Sequence, residues 1–92
     1  MATVINFEKH TLTFTGNGQP SVVVPFEKVE TLTVEQMADF GQKMGKVYYK
    51  REDGATGWVA IASPEKALPD KMASLAKIIS KVTGKEYPIG GI

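Results

Sequence analysis

The chain has 92 residues, of which 42% are hydrophobic and 23% charged, and its formal net charge is +1. These values predict one globular domain spanning residues 1–92 and exclude wholesale disorder. The near-neutral charge argues against a strong electrostatic attraction to nucleic acid or to acidic membranes. Because cysteine is absent, disulfides, cysteine nucleophiles and thiolate metal ligands are excluded.

Targeting signals are not evident in the sequence. Residues 1–10 lack the basic start and the apolar run of a secretory signal. Apolar stretches all fall short of the roughly 18 residues that span a bilayer. By elimination, we expect a cytoplasmic protein.

Three strands are predicted in the first part of the chain. Residues 4–7 are apolar, Thr11–Thr15 alternates between apolar and polar side chains, and Ser21–Phe26 is again apolar. The intervening segment Gly16–Pro20 contains Asn-Gly, which adopts positive φ at low cost and predicts a hairpin turn. Pro25 lacks a backbone donor, so the third strand is expected to lie at a sheet edge or to end there.

The register of this hairpin is open between two alternatives. A two-residue turn would pair Leu12 with Val23. A loop of odd length would instead place five apolar side chains on one face. We favour the second alternative, because it buries more apolar area. The five side chains are those of Leu12, Phe14, Val22, Val24 and Phe26.

A first amphipathic helix is predicted over residues 33–44. Thr33 and Gln36 fit a capping box at its start, and Gly45 is a natural residue to follow its end. On a helical wheel one arc is apolar or small throughout. The residues of that arc are Val34, Met37, Ala38, Phe40, Gly41 and Met44.

A second hairpin and a second helix follow. The hairpin comprises strands Lys46–Glu52 and Trp58–Ala62, joined by the five-residue loop Asp53–Gly57. Pro69 suits the start of a helix and Gly84 its end. Its apolar face comprises Met72, Leu75, Ala76, Ile78, Ile79 and Val82.

The C-terminal tail, residues 86–92, contains one proline and two glycines, which discourage regular structure. Three arrangements are open for it: a flap, an added edge strand or a flexible segment. Its apolar residues, Tyr87, Ile89 and Ile92, are able to dock on the domain.

Together these elements predict an α+β fold. An antiparallel sheet of four to five strands carries two amphipathic helices on one face, in the order ββαββα, with the fifth strand at the N-terminus. A shift of 38 positions superposes the apolar residues of the two helices. Either an internal duplication or the shared 3.6-residue period of helices that pack on a sheet explains this match, and we favour the shared period.

Signatures of catalysis and metal binding are weak. His10 is the only histidine, and we expect a solvated side chain because no nucleophile or acid partner is placed beside it. The segment Gly41–Lys46 has three rather than four residues between its glycines and lacks the Ser or Thr of a phosphate loop. We therefore expect a non-enzymatic protein without a cofactor or metal.

One candidate binding surface emerges from strand alternation in the second hairpin. With a five-residue loop, Val47 and Tyr49 face the helices together with Val59 and Ile61. The opposite face then carries the candidate partner-binding residues. These are Tyr48 and Trp58, flanked by the basic residues Lys46, Lys50 and Arg51.

Two functions fit such a surface. Tyr and Trp often anchor protein interfaces, so we expect a protein-binding module: a regulator, an accessory subunit or an inhibitor of the kind that viruses and mobile elements encode. A homodimer that covers the aromatic side chains is a further arrangement. The alternative function is binding of single-stranded nucleic acid by base stacking, which the near-neutral charge disfavours.

Overall fold

The computed structural model describes residues 2–15, 20–36, 43–61 and 65–90. In chain order they form six strands, one α-helix and a short final strand. The strands are β1 (Ala2–Asn6), β2 (Thr11–Thr15), β3 (Val22–Pro25), β4 (Val29–Gln36), β5 (Lys43–Lys50) and β6 (Thr56–Ile61), followed by α1 (Leu68–Thr83) and β7 (Ile89–Gly90). Single 3-10 turns, Phe26–Lys28 and Glu65–Ala67, precede β4 and α1.

The strands form two sheets rather than the single predicted sheet. One sheet is antiparallel with the order β1-β2-β3, and the other has the order β6-β5-β4-β7. In the four-stranded sheet β7 is parallel to β4, whereas the remaining neighbours are antiparallel. The α+β class is confirmed, but the ββαββα order is wrong, and so is the placement of all strands in one sheet.

The first predicted helix is wrong within the described residues. Thr33–Gln36 lies in β4, and Lys43 and Met44 begin β5, while Met37–Gln42 lies outside the described residues. In β4 the buried Leu32 and Val34 alternate with more exposed neighbours, which is a period of two. This alternation and the β-branched residues outweigh the helical periodicity. The match between two helices at a shift of 38 positions therefore does not reflect two similar helices.

In both hairpins, even-numbered residues pair with even-numbered ones and odd with odd, which is the predicted parity. Leu12 lies opposite Val24 and Phe14 opposite Val22, which places these four side chains on one face, while Val23 points to the other face and is exposed. Pro25 ends β3 at the edge of its sheet, as predicted.

In the second hairpin Val47 lies opposite Val59, so odd residues pair with odd residues. The predicted loop Asp53–Gly57 is wrong, however: Lys50 pairs with Thr56, so the five-residue loop comprises residues 51–55, and Tyr48 lies opposite Trp58.

The predicted second helix is confirmed as α1. Met72, Leu75, Ala76 and Ile79 of its predicted face are buried, whereas Val82 is exposed. Gly84 ends the helix with φ of 75°, a left-handed conformation that glycine adopts without strain.

The tail docks by the edge-strand alternative. Ile89 pairs with Leu32, and the buried Tyr87 donates a hydrogen bond from its hydroxyl to the carbonyl oxygen of Val29 over 3.1 Å. Ile92 lies outside the described residues.

One buried cluster joins both sheets to the helix. It holds side chains from β2, β3, β4, β5, β6 and α1, together with Phe26 and Tyr87. At its centre Gly45 of β5 faces the helix: a Cβ at this position would lie 2.6 Å from Sδ of Met72 and 3.3 Å from Cδ1 of Leu68. Gly45 therefore does not follow a helix, as the sequence suggested, but allows α1 to approach the sheet closely. The helix thus covers one face of the four-stranded sheet.

Candidate interaction surface

We call the face of the four-stranded sheet that points away from α1 the open face. Strand alternation and register assign ten described residues to it. They are Thr31, Thr33, Glu35, Met44, Lys46, Tyr48, Lys50, Thr56, Trp58 and Ala60.

Two aromatic side chains lie side by side on the open face. Tyr48 of β5 and Trp58 of β6 are direct cross-strand partners, so their Cβ atoms are about 4.5–5.5 Å apart. The side chain of Trp58 is 52% exposed and that of Tyr48 is half-buried. The predicted placement of both residues on one face, opposite the helix, is confirmed.

Glu35 organises the polar side chains around this aromatic pair. Its Oε2 accepts hydrogen bonds from the hydroxyl of Tyr48 at 2.6 Å and from Oγ1 of Thr33 at 2.7 Å. Its Oε1 accepts a hydrogen bond from Nζ of Lys46 at 3.5 Å. A charged acceptor strengthens each of these bonds. The carboxylate therefore holds three side chains from two strands in defined positions.

The hydrogen bonds shift the titration of both acidic groups. The Tyr48 hydroxyl, followed by the Thr33 hydroxyl and the charge of Lys46, holds the pKa of Glu35 below its usual value. The carboxylate of Glu35 in turn raises the pKa of Tyr48, because its hydrogen bond and its charge favour the protonated phenol. At neutral pH the pair is therefore a carboxylate and a neutral phenol.

Lys46 connects this polar cluster to the tryptophan. Its Nζ lies 4.3 Å from the centroid of the Trp58 ring, within the range of a cation–π interaction. The same ammonium group forms the ion pair with Glu35. Glu35, Lys46 and Trp58 thus form a continuous chain of contacts across β4, β5 and β6.

The pH dependence of this cluster has a defined sign. Because the folded-state pKa of Glu35 is lowered, its stabilising contribution is present above the ordinary carboxylate pKa and is lost as the pH falls through the folded value. Glu35→Gln should therefore be slightly less stable than the wild type at neutral pH, and the difference should disappear as the pH falls through the folded-state pKa of Glu35. Urea unfolding at several pH values measures the difference.

The Tyr48 titration provides a second readout of the same variant. In the wild type its raised pKa means that its contribution is present below the usual tyrosine pKa and lost as the pH rises through the folded value. Glu35→Gln should move the Tyr48 titration to lower pH, as followed by tyrosinate absorbance, with Tyr48→Phe assigning the signal. Identical titration curves in the wild type and Glu35→Gln would contradict the described hydrogen bond.

The other predicted binding residues divide between the two faces. Lys50 is exposed on the open face. Arg51 lies near the opposite face. A Cβ atom added to Gly57 would lie 2.5 Å from Nε of Arg51 and 3.1 Å from Cζ of Tyr49. Since Gly57 and Tyr49 are odd-numbered residues on the helix side of this hairpin, Arg51 is separated from Trp58 by the sheet.

Glu35 and Thr33 are components of the open face that the sequence reasoning missed. Both residues were assigned to the first predicted helix. The alternation of buried Leu32 and Val34 with Thr31, Thr33 and Glu35 was the available signal, and it would have placed the carboxylate on the same face as Tyr48.

A cleft lies beside His10, away from the open face. The exposed imidazole stacks on Phe26 with a centroid distance of 5.8 Å, and the residue has a φ of 53°. The cleft has a volume of about 570 Å³ and is lined by loop residues and by the C-terminal end of α1. Within the described ranges, three or more His, Asp or Glu side chains do not cluster as a metal site would require.

Across the described residues, no helix has the length and apolarity needed to cross a membrane. Comparison of the chain with protein-family models, with curated proteins and with solved structures gives no match.

Proposed function

We propose that this protein is a small protein-binding module, acting as a regulator, an inhibitor or an accessory subunit, and that it binds its partner through the open face. The observation that carries the proposal is the exposed Trp58 directly opposite Tyr48. Large aromatic side chains of this kind supply much of the binding energy at protein interfaces.

The fixed positions of the side chains on the open face support this proposal. The Tyr48 hydroxyl is held by Glu35, and the Trp58 ring is held by Lys46. Immobilising a flexible side chain on binding costs about 0.5–1.5 kcal/mol, and a side chain that is already held avoids part of this cost. A preorganised aromatic pair is therefore better suited to tight contact than the same residues on a loop.

The charges on this face favour a protein over single-stranded nucleic acid. The carboxylate of Glu35 lies among the aromatic and basic side chains and would repel a phosphate group. Lys46 is already paired with that carboxylate, which leaves Lys50 as the open face's unpaired cation among the described residues. Nucleic-acid binding by charge normally requires several such cations.

Affinity capture with matched variants tests the proposal. The wild type, Tyr48→Ala/Trp58→Ala and Phe7→Ala are immobilised and exposed to extract of the source cell, and retained proteins are identified by mass spectrometry. Phe7 is the control because it is 65% exposed and lies outside the four-stranded sheet. We expect a partner that the wild type and Phe7→Ala retain, that the double variant loses, and that binds the purified wild type directly.

Two outcomes would overturn the proposal. Retention of the same proteins by a double variant with unchanged circular dichroism would show that the open face is not the binding surface. Salt-dependent quenching of Trp58 fluorescence by an oligodeoxythymidine, without a protein partner, would instead support the nucleic-acid alternative.

A further inference from the structure

Strand β6 is the longest edge strand among the described residues and lacks charged residues and proline. Within those residues it pairs with β5 on one side only, and its six residues have the sequence TGWVAI. Exposed edge strands normally carry charged residues or proline, because an unprotected edge pairs with other strands.

The hairpin geometry identifies the backbone groups that point outward from this edge. The amide of Arg51 donates to the carbonyl oxygen of Ala55 over 2.8 Å, so these two residues form a hydrogen-bonded pair. Such pairs alternate along an antiparallel ladder. The odd-numbered residues of β6 therefore bond to β5, and the amides and carbonyls of Thr56, Trp58 and Ala60 point away from the sheet.

We propose that β6 pairs antiparallel with β6 of a second copy of this chain, about a two-fold axis at Val59. In this register the two largest side chains of residues 57–61 each meet a small residue across the axis. Trp58 lies opposite Ala60 of the second copy, Ile61 opposite Gly57, and Val59 opposite itself. The outward amides and carbonyls of Trp58 and Ala60 then form four hydrogen bonds between the copies.

Two features favour a second copy of this chain as the partner of β6. These are the absence of charges on the strand and the apolar surface beside it. A strand without charges places no like charges opposite each other, and a net charge of +1 gives little repulsion between copies. On the helix side, an apolar groove of about 150 Å³ opens beside the strand, lined by Ile5, Ile61, Leu75 and Ile78 among others. Apolar surface therefore lies beside β6 on both faces of the sheet: the groove on the helix side and Trp58 on the open face.

This inference rests on the proposed function and deepens it. A two-fold axis perpendicular to the sheet keeps the open faces of both copies on the same side. The two four-stranded sheets then form one eight-stranded sheet, and both Trp58–Tyr48 pairs lie on a continuous surface. The complete partner-binding surface is therefore composite, with each copy supplying half.

Cysteine cross-linking tests the register directly, because the natural chain has no cysteine. Residues that face each other in a non-hydrogen-bonded pair have Cα atoms about 4.5 Å apart, within the range of a disulfide. Val59→Cys should therefore form a covalent dimer under mild oxidation that a reductant reverses. Val23→Cys is the control, since Val23 is 57% exposed on β3, and it should remain monomeric.

Sedimentation of a proline variant provides an independent test. Ala60→Pro removes an outward amide within the proposed contact, and circular dichroism reports whether the variant still folds. The contact involves one six-residue strand of each copy, so we expect a weak dimer, measured over a wide concentration range. Ala60→Pro should weaken this dimer more than tenfold.

A monomeric wild type at the highest concentration, together with equal cross-linking of the two cysteine variants, would overturn the proposal. Loss of partner capture by Ala60→Pro in a protein that stays monomeric would also overturn it, because the edge would then receive a strand of the partner. Neither result depends on Tyr48→Ala/Trp58→Ala, so failure of the dimer and failure of the open face remain distinguishable.

Discussion

Replacing Gly45 with alanine is expected to destabilise the protein by about 2 kcal/mol, within the range measured for overpacked cores. The added Cβ would lie 2.6 Å from Sδ of Met72, a side chain that is completely buried. Alanine normally favours a strand over glycine, so a loss of stability would report the close contact with α1. In a domain of this size each kcal/mol corresponds to about 4–8 °C in Tm.

A double-mutant cycle isolates this contact. Met72→Ala leaves a cavity and is itself expected to cost about 2–5 kcal/mol. The double variant Gly45→Ala/Met72→Ala should be less destabilised than the sum of the two single variants, because the added methyl group occupies part of that cavity. Gly90→Ala is the control, since its Cβ would meet its nearest neighbour, Cγ2 of Thr33, at an ordinary 3.4 Å. Strict additivity in urea unfolding would contradict the described packing.

Truncation of Phe26 should have the larger effect, about 3–5 kcal/mol for Phe26→Ala. The ring is 1% exposed and belongs to the cluster that joins the two sheets. Its backbone amide also donates to the carbonyl oxygen of His10 over 2.9 Å, and its ring stacks on that imidazole. Since total stabilities are typically about 5–15 kcal/mol, this one change removes a large share.

Phe7→Ala serves as the matched control for Phe26→Ala. The same atoms are removed, but the Phe7 side chain is 65% exposed, and changes at exposed positions are usually within about 0.5 kcal/mol. Thermal and urea unfolding of both variants would measure the contrast. Equal destabilisation by the two truncations would show that Phe26 does not hold the sheets together as described.

Local signals were sufficient for the parity of the hairpins and for α1. Alternation in β2 and β3 selected the register that buries Leu12 and Phe14 with Val24. The parity of the second hairpin placed Tyr48 and Trp58 on one face, but their direct pairing depends on a loop that begins two residues earlier than predicted. Helix α1 combines a proline at its start, a glycine just beyond its end and a stripe of apolar residues between them. In each case the signal lies in residues that are close together along the chain.

The segment that ends β4 shows where local signals fail. The pattern of Thr33–Gln36 fits a capping box and an alternating strand equally well. In the structure this segment belongs to β4 and pairs with β5. The pairing of Thr33 with Lys46 and of Glu35 with Met44 selects the strand. Those partners lie 9 to 13 positions away along the chain, and a helical wheel does not consider them. The polar cluster around Glu35 was missed for the same reason.

By itself, the sequence determined the α+β class, the hairpin parities, the extent of α1 and the aromatic pair on the face opposite the helix. Periodicity and turn chemistry act within a few residues, so they are readable without a fold. Only the tertiary structure decided that there are two sheets, that Gly45 lies beneath Met72, and that Arg51 lies across the sheet from Trp58. These features depend on which distant surfaces bury each other, and burial is a property of the whole chain.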